Sequence, residues 1–249
     1  MNLTVPAGAT AIEFRDVEFR VPAGPVILQN FSLEIQRCET LVLLGRSGSG
    51  KTTALRLINR LLEPTRGTVL VDGRATLEWN AVELRRRIGY VIQDAGLFPH
   101  YTVERNVALV PHLEKWPDER VRARVNELLN LVGLDAPQFA RRYPRELSGG
   151  QRQRVGFARA LAADPPFLLA DEPFGALDPL TRSDMQKEFA ALQKRLSKTI
   201  VFVTHDVREA LLLGSRIALL EGGKLVGVYT PDEFQHAEAP LAAAYMACK

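Results

Sequence analysis

Cysteine is scarce: the chain has two in 249 residues, Cys38 and Cys248, too far apart to match a metal-binding or redox spacing. They read as incidental thiols in a reducing compartment. Long apolar runs are missing as well. The longest, such as LVLL at 41–44 and FLLA at 167–170, have the length of a buried strand and fall far short of the ~18 residues a membrane span needs. The opening segment, MNLTVPAGAT, has no basic stretch followed by an apolar core, so it is not expected to be a secretion signal. A large excess of either charge is also absent; a formal charge of +3 does not by itself call for nucleic acid as a partner. Low-complexity segments and internal repeats are not found. What remains is the composition of an ordinary soluble globular protein, long enough for one large domain or a domain with a sizeable insertion.

The chain opens with strand signals. IEFRDVEFRV (12–21) and ILQNFSLEI (27–35) alternate apolar and polar residues, with PAGP as a turn between them. TLVLLG (40–45) is a continuous apolar run, as expected of a strand buried on both faces. KTTALRLINRLL (51–62) has helical spacing, and GTVLVDG and RIGYVIQ are further short strands. From about Asp94 to Ala163 strand signals vanish. TVERNVALV, PDERVRARVNELLNLVGL and GGQRQRVGFARALAAD carry helical periodicity, and Pro117 suits a helix start. Strands then return at 166–172, 198–206 and 216–229, with helices at about 179–196 and 207–213. The alternation predicts an α/β fold with a mostly parallel sheet and an inserted all-helical subdomain.

Gly45 to Thr52 matches G-x-x-x-x-G-K-[ST], between a predicted strand and a predicted helix, the context a P-loop requires. Gly45, Gly48 and Gly50 let the backbone N–H groups of Arg46, Ser47, Ser49 and their neighbours wrap phosphates. Lys51 reaches the β- and γ-phosphates, and the Thr52 hydroxyl, next to Thr53, can ligate Mg2+. FLLADE ends in Asp171 and Glu172 at the carboxyl edge of a buried strand, where open α/β sheets bind ligands. Asp171 is suited to Mg2+, and Glu172 to orienting and deprotonating water. His205, at the end of IVFVTH, suits a phosphate contact, and Gln93, at the end of GYVIQ, suits Mg2+ or water; either side chain in isolation is also compatible with a purely structural role. RELSGGQRQRV (145–155) sets Ser148, Gly149, Gly150 and Gln151 at a helix start, a second anion-binding arrangement. The chain therefore carries two phosphate-binding loops and one nucleotide pocket.

With these motifs in hand, the chain resembles the nucleotide-binding subunits of ABC transporters over 12–234. GRSGSGKT resembles the Walker A motif, FLLADE the Walker B with its catalytic glutamate, LSGGQ at 147–151 the signature, Gln93 the Q-loop, GALD at 175–178 the D-loop with Asp178, and His205 the switch histidine. The resemblance implies a P-loop NTPase (RecA-like) core with an antiparallel β subdomain over 1–94 and 164–249, and a helical signature subdomain over 95–163. It implies ATP and Mg2+ as cofactors, with Thr52, Gln93 and Asp171 at the metal. It further implies a head-to-tail, ATP-dependent homodimer in which the LSGGQ of one chain faces the γ-phosphate held by Lys51 of the other. That arrangement resolves the two-loop puzzle. Integral membrane permease subunits and, indirectly, a substrate-binding protein are the implied partners, nucleic acid is not, and the implied location is the cytoplasmic face of the inner membrane, peripherally bound.

INRLLEPTRG, ELRRRIGYVIQDAGLFPHYTVERNVALVP and DEPFGALDPLTRSDMQKEF are similar, more narrowly, to ATPase subunits of importers for glycine betaine, choline and related osmoprotectants. Importers of amino acids, sulfonates or metal chelates share the same engine, and a soluble ABC ATPase acting on DNA or ribosomes is a further alternative. Residues after Gln93, Leu97 and Phe98 among them, are expected to line the groove for a permease helix. Two departures stand out. The chain stops soon after TPDEF, so a regulatory CBS pair is not expected. Where many relatives stack an aromatic on adenine, this chain aligns Val21, with Phe19 two residues earlier; Val21 is the expected adenine contact and Phe19 the expected core residue.

Overall fold

The computed structural model describes residues 9–247, so Cys248 and the first eight residues of the opening segment lie outside it. In chain order the elements begin with strands β1 (Thr10–Arg20), β2 (Val26–Gln36) and β3 (Thr40–Gly45), then helix α1 (Lys51–Ile58). Strands β4 (Arg66–Val71) and β5 (Arg74–Ala75), helix α2 (Ala81–Arg86) and strand β6 (Ile88–Val91) follow. Four helices come next, α3 (Val103–Leu113), α4 (Asp118–Leu131), α5 (Ala136–Phe139) and α6 (Gly149–Leu161). The chain then alternates β7 (Phe167–Asp171), α7 (Pro179–Leu196), β8 (Thr199–Thr204), α8 (Val207–Leu213), β9 (Arg216–Glu221) and β10 (Lys224–Tyr229), and ends in α9 (Pro231–Gln235) and α10 (Pro240–Ala247). It divides into two compact units, one made of 9–85 with 197–247 and one of 86–196.

The first unit holds an antiparallel sheet in the order β2-β1-β4-β5. The alternation in β1 breaks at Arg15–Asp16, and the structure gives the reason. The β1–β2 register shifts between Phe14 and Val17, and Asp16 takes a left-handed φ of 46°. Asp16 donates its N–H to the Ser32 hydroxyl and accepts that hydroxyl's proton, both at 2.9 Å. This bulge carries two successive polar residues on the outside and returns Val17 to the core beside Ile12 and Phe14. The same unit holds β3 between β8 and β9, parallel to both, with β10 antiparallel on β9. Every residue of β3 is buried. Sequestering each of its leucines and its valine contributes about 1.5–3 kcal/mol.

In the second unit β6 and β7 pair in parallel, with Ile88 opposite Phe167 and Val91 opposite Ala170. Helices α3, α4 and α6 pack on one another. Phe157, Phe174 and Phe189, all buried, form a ring cluster with centroids 5.0–6.1 Å apart. The helical texture read from Asp94 to Ala163 matches α3 to α6. Pro117 is the N-cap of α4, with its φ of −57° already helix-compatible. Buried Asn106 shapes the turn before α3: its amide donates to the carbonyls of Phe98, Tyr101 and Thr102 and accepts from the Phe98 N–H. That turn holds Leu97 half-buried and leaves Phe98 41% exposed, with its ring against Tyr101.

Candidate functional site

The first unit presents the glycine-rich loop. Strand β3 ends at Gly45 and helix α1 begins at Lys51, so the five residues between them make the whole turn. A Cβ on Gly45 would lie 2.5 Å from both the Ser49 Oγ and the Leu220 carbonyl oxygen, closer than real contacts allow. Gly50 has φ 99° and sits against Leu28, so no other residue fits there unstrained. As the N-cap of α1 it offers no side-chain cap to the first turn of the helix. The Ser49 hydroxyl is buried and has no hydrogen-bond partner among the described residues. Lys51 is 5% exposed, and its ammonium donates to the carbonyls of Gly45 (2.7 Å) and Arg46 (2.9 Å). Arg46, Ser47 and Gly48 are exposed on the outer side, and Thr52 and Thr53 are half-buried in the first turn of α1. A buried hydroxyl, a helix N-terminus without a side-chain cap and a bent-back ammonium lie within this one loop, a combination that suits a multiply charged phosphate.

Strand register brings His205 to the same edge. Leu44 pairs with Thr204, so His205 follows β8 beside Gly45 at the end of β3. It is exposed. Val21 departs from the expected strand position: β1 stops at Arg20, and Val21 lies in the following turn, 38% exposed, donating its N–H to the Pro25 carbonyl at 3.1 Å. Phe19, opposite Leu28 in β1, is half-buried, so the expectation that it belongs to the core is corrected to a partial one. The β1–β2 register shifts between Phe19 and Arg20, and Arg20 opposite Val26 is the last pair before the turn that holds Val21.

The second unit presents the carboxylates. Asp171 is the last residue of β7, and Glu172 follows it with φ 45°, a left-handed backbone that costs a non-glycine residue of order 1–3 kcal/mol. The Tyr90 hydroxyl donates to the Asp171 Oδ2 at 3.3 Å. Gln93 does not end a strand, as its sequence position suggested; β6 stops at Val91 and Gln93 lies two residues beyond. Its Nε2 would lie 2.9 Å from a Cβ on Gly175, so its side chain reaches the turn after Glu172. Helix α6 holds this segment through side chains that sequence reasoning missed. Gln153 donates to the Ile92 carbonyl at 3.1 Å, and Arg159 to the carbonyls of Ala95 and Gly96, each at 2.7 Å. Burial holds the Arg159 guanidinium below its ordinary pKa. Bonds to backbone carbonyls leave no residue pattern behind, so no sequence signal marked these two.

The same unit presents a second helix N-terminus. Ser148 caps α6: its Oγ accepts from the Gln151 N–H at 3.3 Å, and the Gln151 Oε1 accepts from the Ser148 N–H at 3.0 Å. Gly149 and Gly150 form the first turn, and a Cβ on Gly150 would lie 2.6 Å from the Thr181 methyl at the start of α7. Asp178 caps that helix by accepting from the Thr181 N–H at 3.1 Å, and its bonds to the Thr181 hydroxyl and N–H hold its carboxyl below the usual range. Serine 148 and Gln151 thus have a local capping role that exists without any partner chain.

Residues 28–175 match the family model described as ABC transporter, more than half of the chain. The chain belongs to the ABC transporter family. It is 54% identical over 210 residues to the glycine betaine/carnitine/choline transport ATP-binding protein OpuCA of Bacillus subtilis, covering 84% of this chain and 55% of that protein. It is 48% identical over 215 residues to the glycine betaine uptake system ATP-binding protein YehX of Escherichia coli, covering 86% of this chain and 69% of YehX. The cassette spans about half the length of most of the curated relatives it matches. Among solved structures it is similar to CbiO1 of Clostridium perfringens, part of an ABC transporter complex, at TM-score 0.82 and 26% identity, covering 96% of this chain and 98% of CbiO1. It also resembles a dimeric ATP-binding cassette in a post-hydrolysis state bound to ADP and Pi, at TM-score 0.77 and 37% identity, covering 88% of this chain and 98% of that one. The fold is therefore the α/β P-loop NTPase of an ABC ATPase cassette.

Proposed function

We propose that this cassette hydrolyses ATP and energises an importer of a quaternary-amine osmoprotectant such as glycine betaine or choline. The observation that carries the ATPase reading is the loop at 45–53, where the buried Ser49 hydroxyl has no partner among the described residues and Lys51 is bent back over the carbonyls of Gly45 and Arg46. A triphosphate entering that loop gives Lys51 and Ser49 stronger, charge-assisted acceptors. Thr52, Asp171 and Gln93 would hold Mg2+, an ion that takes oxygen ligands, and the ion would supply charge neutralisation at the phosphates. Glu172 is the general base that orients and deprotonates the attacking water, and His205 contacts the γ-phosphate. Val21 lies against adenine.

Two chains pair head to tail in this reading. Ser148, Gly149 and Gly150 of one chain address the γ-phosphate on Lys51 of the other, with Gln151 and Asp178 at the same interface. A helix N-terminus that reads the group which hydrolysis removes makes the pair stable only before cleavage. Residues 95–163 serve as the helical subdomain and 1–94 with 164–249 as the core. Permease subunits dock beside Leu97 and Phe98 at the cytoplasmic face of the membrane, and a substrate-binding protein acts at one remove. No helix among the described residues is long and apolar enough to cross a membrane, in keeping with peripheral attachment. The osmoprotectant assignment draws on relatives such as OpuCA. Uptake of labelled glycine betaine by cells carrying the chain, against Lys51→Ala, tests the whole proposal: uptake should depend on Lys51. ATP hydrolysis lost in Lys51→Ala while betaine uptake stays unchanged would leave the ATPase assignment standing and overturn the solute.

A further inference from the structure

Glu209 is a buried carboxylate that none of these roles uses. It lies on α8, which packs against β3 and β8, and it is 5% exposed. An acid in such a place is costly unless its oxygens are hydrogen-bonded. Its Oε2 accepts from the hydroxyl of Thr204, the last residue of β8, itself 2% exposed. The Thr204 Oγ1 in turn accepts the N–H of Asp206 at 3.0 Å. Asp206 then caps α8 by accepting from the Arg208 N–H at 2.8 Å. The residues on either side of His205 are thereby tied to each other and to the buried face of α8, while His205 itself stays exposed.

We propose that Glu209 is a positioning residue for His205, acting through the Thr204 hydroxyl to fix the backbone that presents the imidazole to the terminal phosphate. This rests on the reading of His205 given above. Thr204 has a single hydroxyl proton, and it goes to Glu209; its oxygen is then oriented to receive the Asp206 N–H. Without the acid the hydroxyl is free to rotate, the Asp206 bond loses its alignment, and His205 is no longer held at one distance from the edge of β3.

The test measures ATP hydrolysis and ATP binding by the full chain in four variants, each alone and combined with His205→Ala. Glu209→Met and Thr204→Val remove the bond while keeping the volume. Glu209→Gln and Thr204→Ser keep an acceptor and a hydroxyl. The disruptive pair should lower kcat between about 10- and 100-fold, the scale of an ångström misplacement, with KM held within about twofold. The conservative pair should stay near the unmodified rate. On the His205→Ala background the disruptive changes should cost nothing further, because their effect runs through the missing side chain. An equal loss in both backgrounds, or a rise in KM that matches the fall in kcat, would overturn the proposal. Amide exchange separates misfolding from mispositioning: it should quicken at Asp206 and stay slow in β3, and quickening throughout would count against a positioning role. His205→Ala hydrolysing as fast as the unmodified chain would overturn the reading of His205 itself, and the role of Glu209 with it.

Discussion

At the residue scale, the most informative side chain is Ser49, whose buried hydroxyl finds no hydrogen-bond partner among the described residues. A buried hydroxyl left without a partner costs about 1–3 kcal/mol, and an entering phosphate would satisfy it. Ser49→Ala should therefore raise the melting temperature without nucleotide, by about 2–4 °C per kcal/mol recovered, and should shrink the further rise that ATP produces. A lower melting temperature for Ser49→Ala without nucleotide would mean that the hydroxyl is satisfied and that the loop is not waiting for an acceptor. Val21 makes a separate prediction. It lies in the turn after β1; placed against adenine as proposed, it would offer dispersion contacts but no stacking. Val21→Tyr should tighten ATP by up to about 1–3 kcal/mol, the range for ring-on-base stacking, and GTP by a similar amount, since a ring reads no base edge. Titrations in which Val21→Tyr binds no tighter, while Phe19→Ala loses affinity, would move the adenine contact to Phe19.

The phosphate loop was legible because its chemistry demands a pattern: glycines where a Cβ collides and a lysine at the start of a helix. Other parts of the site left no such mark. The left-handed φ of Glu172 is invisible in a sequence, because glutamate gives no sign of strained backbone. Asn106, Gln153, Arg159 and Glu209 act on backbone atoms or on a hydroxyl, and such partners impose no spacing.

At the element scale, strands buried on both faces read plainly, and β3 is the clearest of them. The departures lie where a ladder ends or slips. The bulge at Asp16 and the early stop of β1 before Val21 follow from local bonds and register, which alternation does not carry. Helix α6 has two duties in this account, and mutation separates them. Ser148→Ala removes a capping bond and should destabilise the chain by about 0.5–2 kcal/mol. Ser148→Arg should stop hydrolysis while leaving ATP affinity of the single chain within about twofold if, as proposed, the serine meets phosphate on the other chain. Calorimetry and nucleotide titration on both variants check this pair. If Ser148→Arg weakened single-chain binding as much as Lys51→Ala does, the serine would belong to its own chain's pocket.

At the scale of the whole molecule, the proposed function depends on partners. Phe98 is 41% exposed on a turn that Asn106 braces from within, so its exposure is built in. Phe98→Asp should leave ATP hydrolysis by the isolated chain nearly unchanged and should uncouple solute uptake in cells. Equal loss of both would identify Phe98 as a folding residue.

The central claim is that ATP is held between two copies of this chain until a water activated by Glu172 cleaves it. A positioned general base contributes about 10²–10⁴-fold in rate, so Glu172→Gln should bind ATP, turn it over very slowly and accumulate the closed pair. Sedimentation velocity of Glu172→Gln at high protein concentration, with ATP and Mg2+, measures this most directly. The account predicts a nucleotide-dependent dimer that the Ser148→Arg/Glu172→Gln double variant fails to form; a Glu172→Gln chain saturated with ATP that sediments as a monomer at every concentration would contradict it.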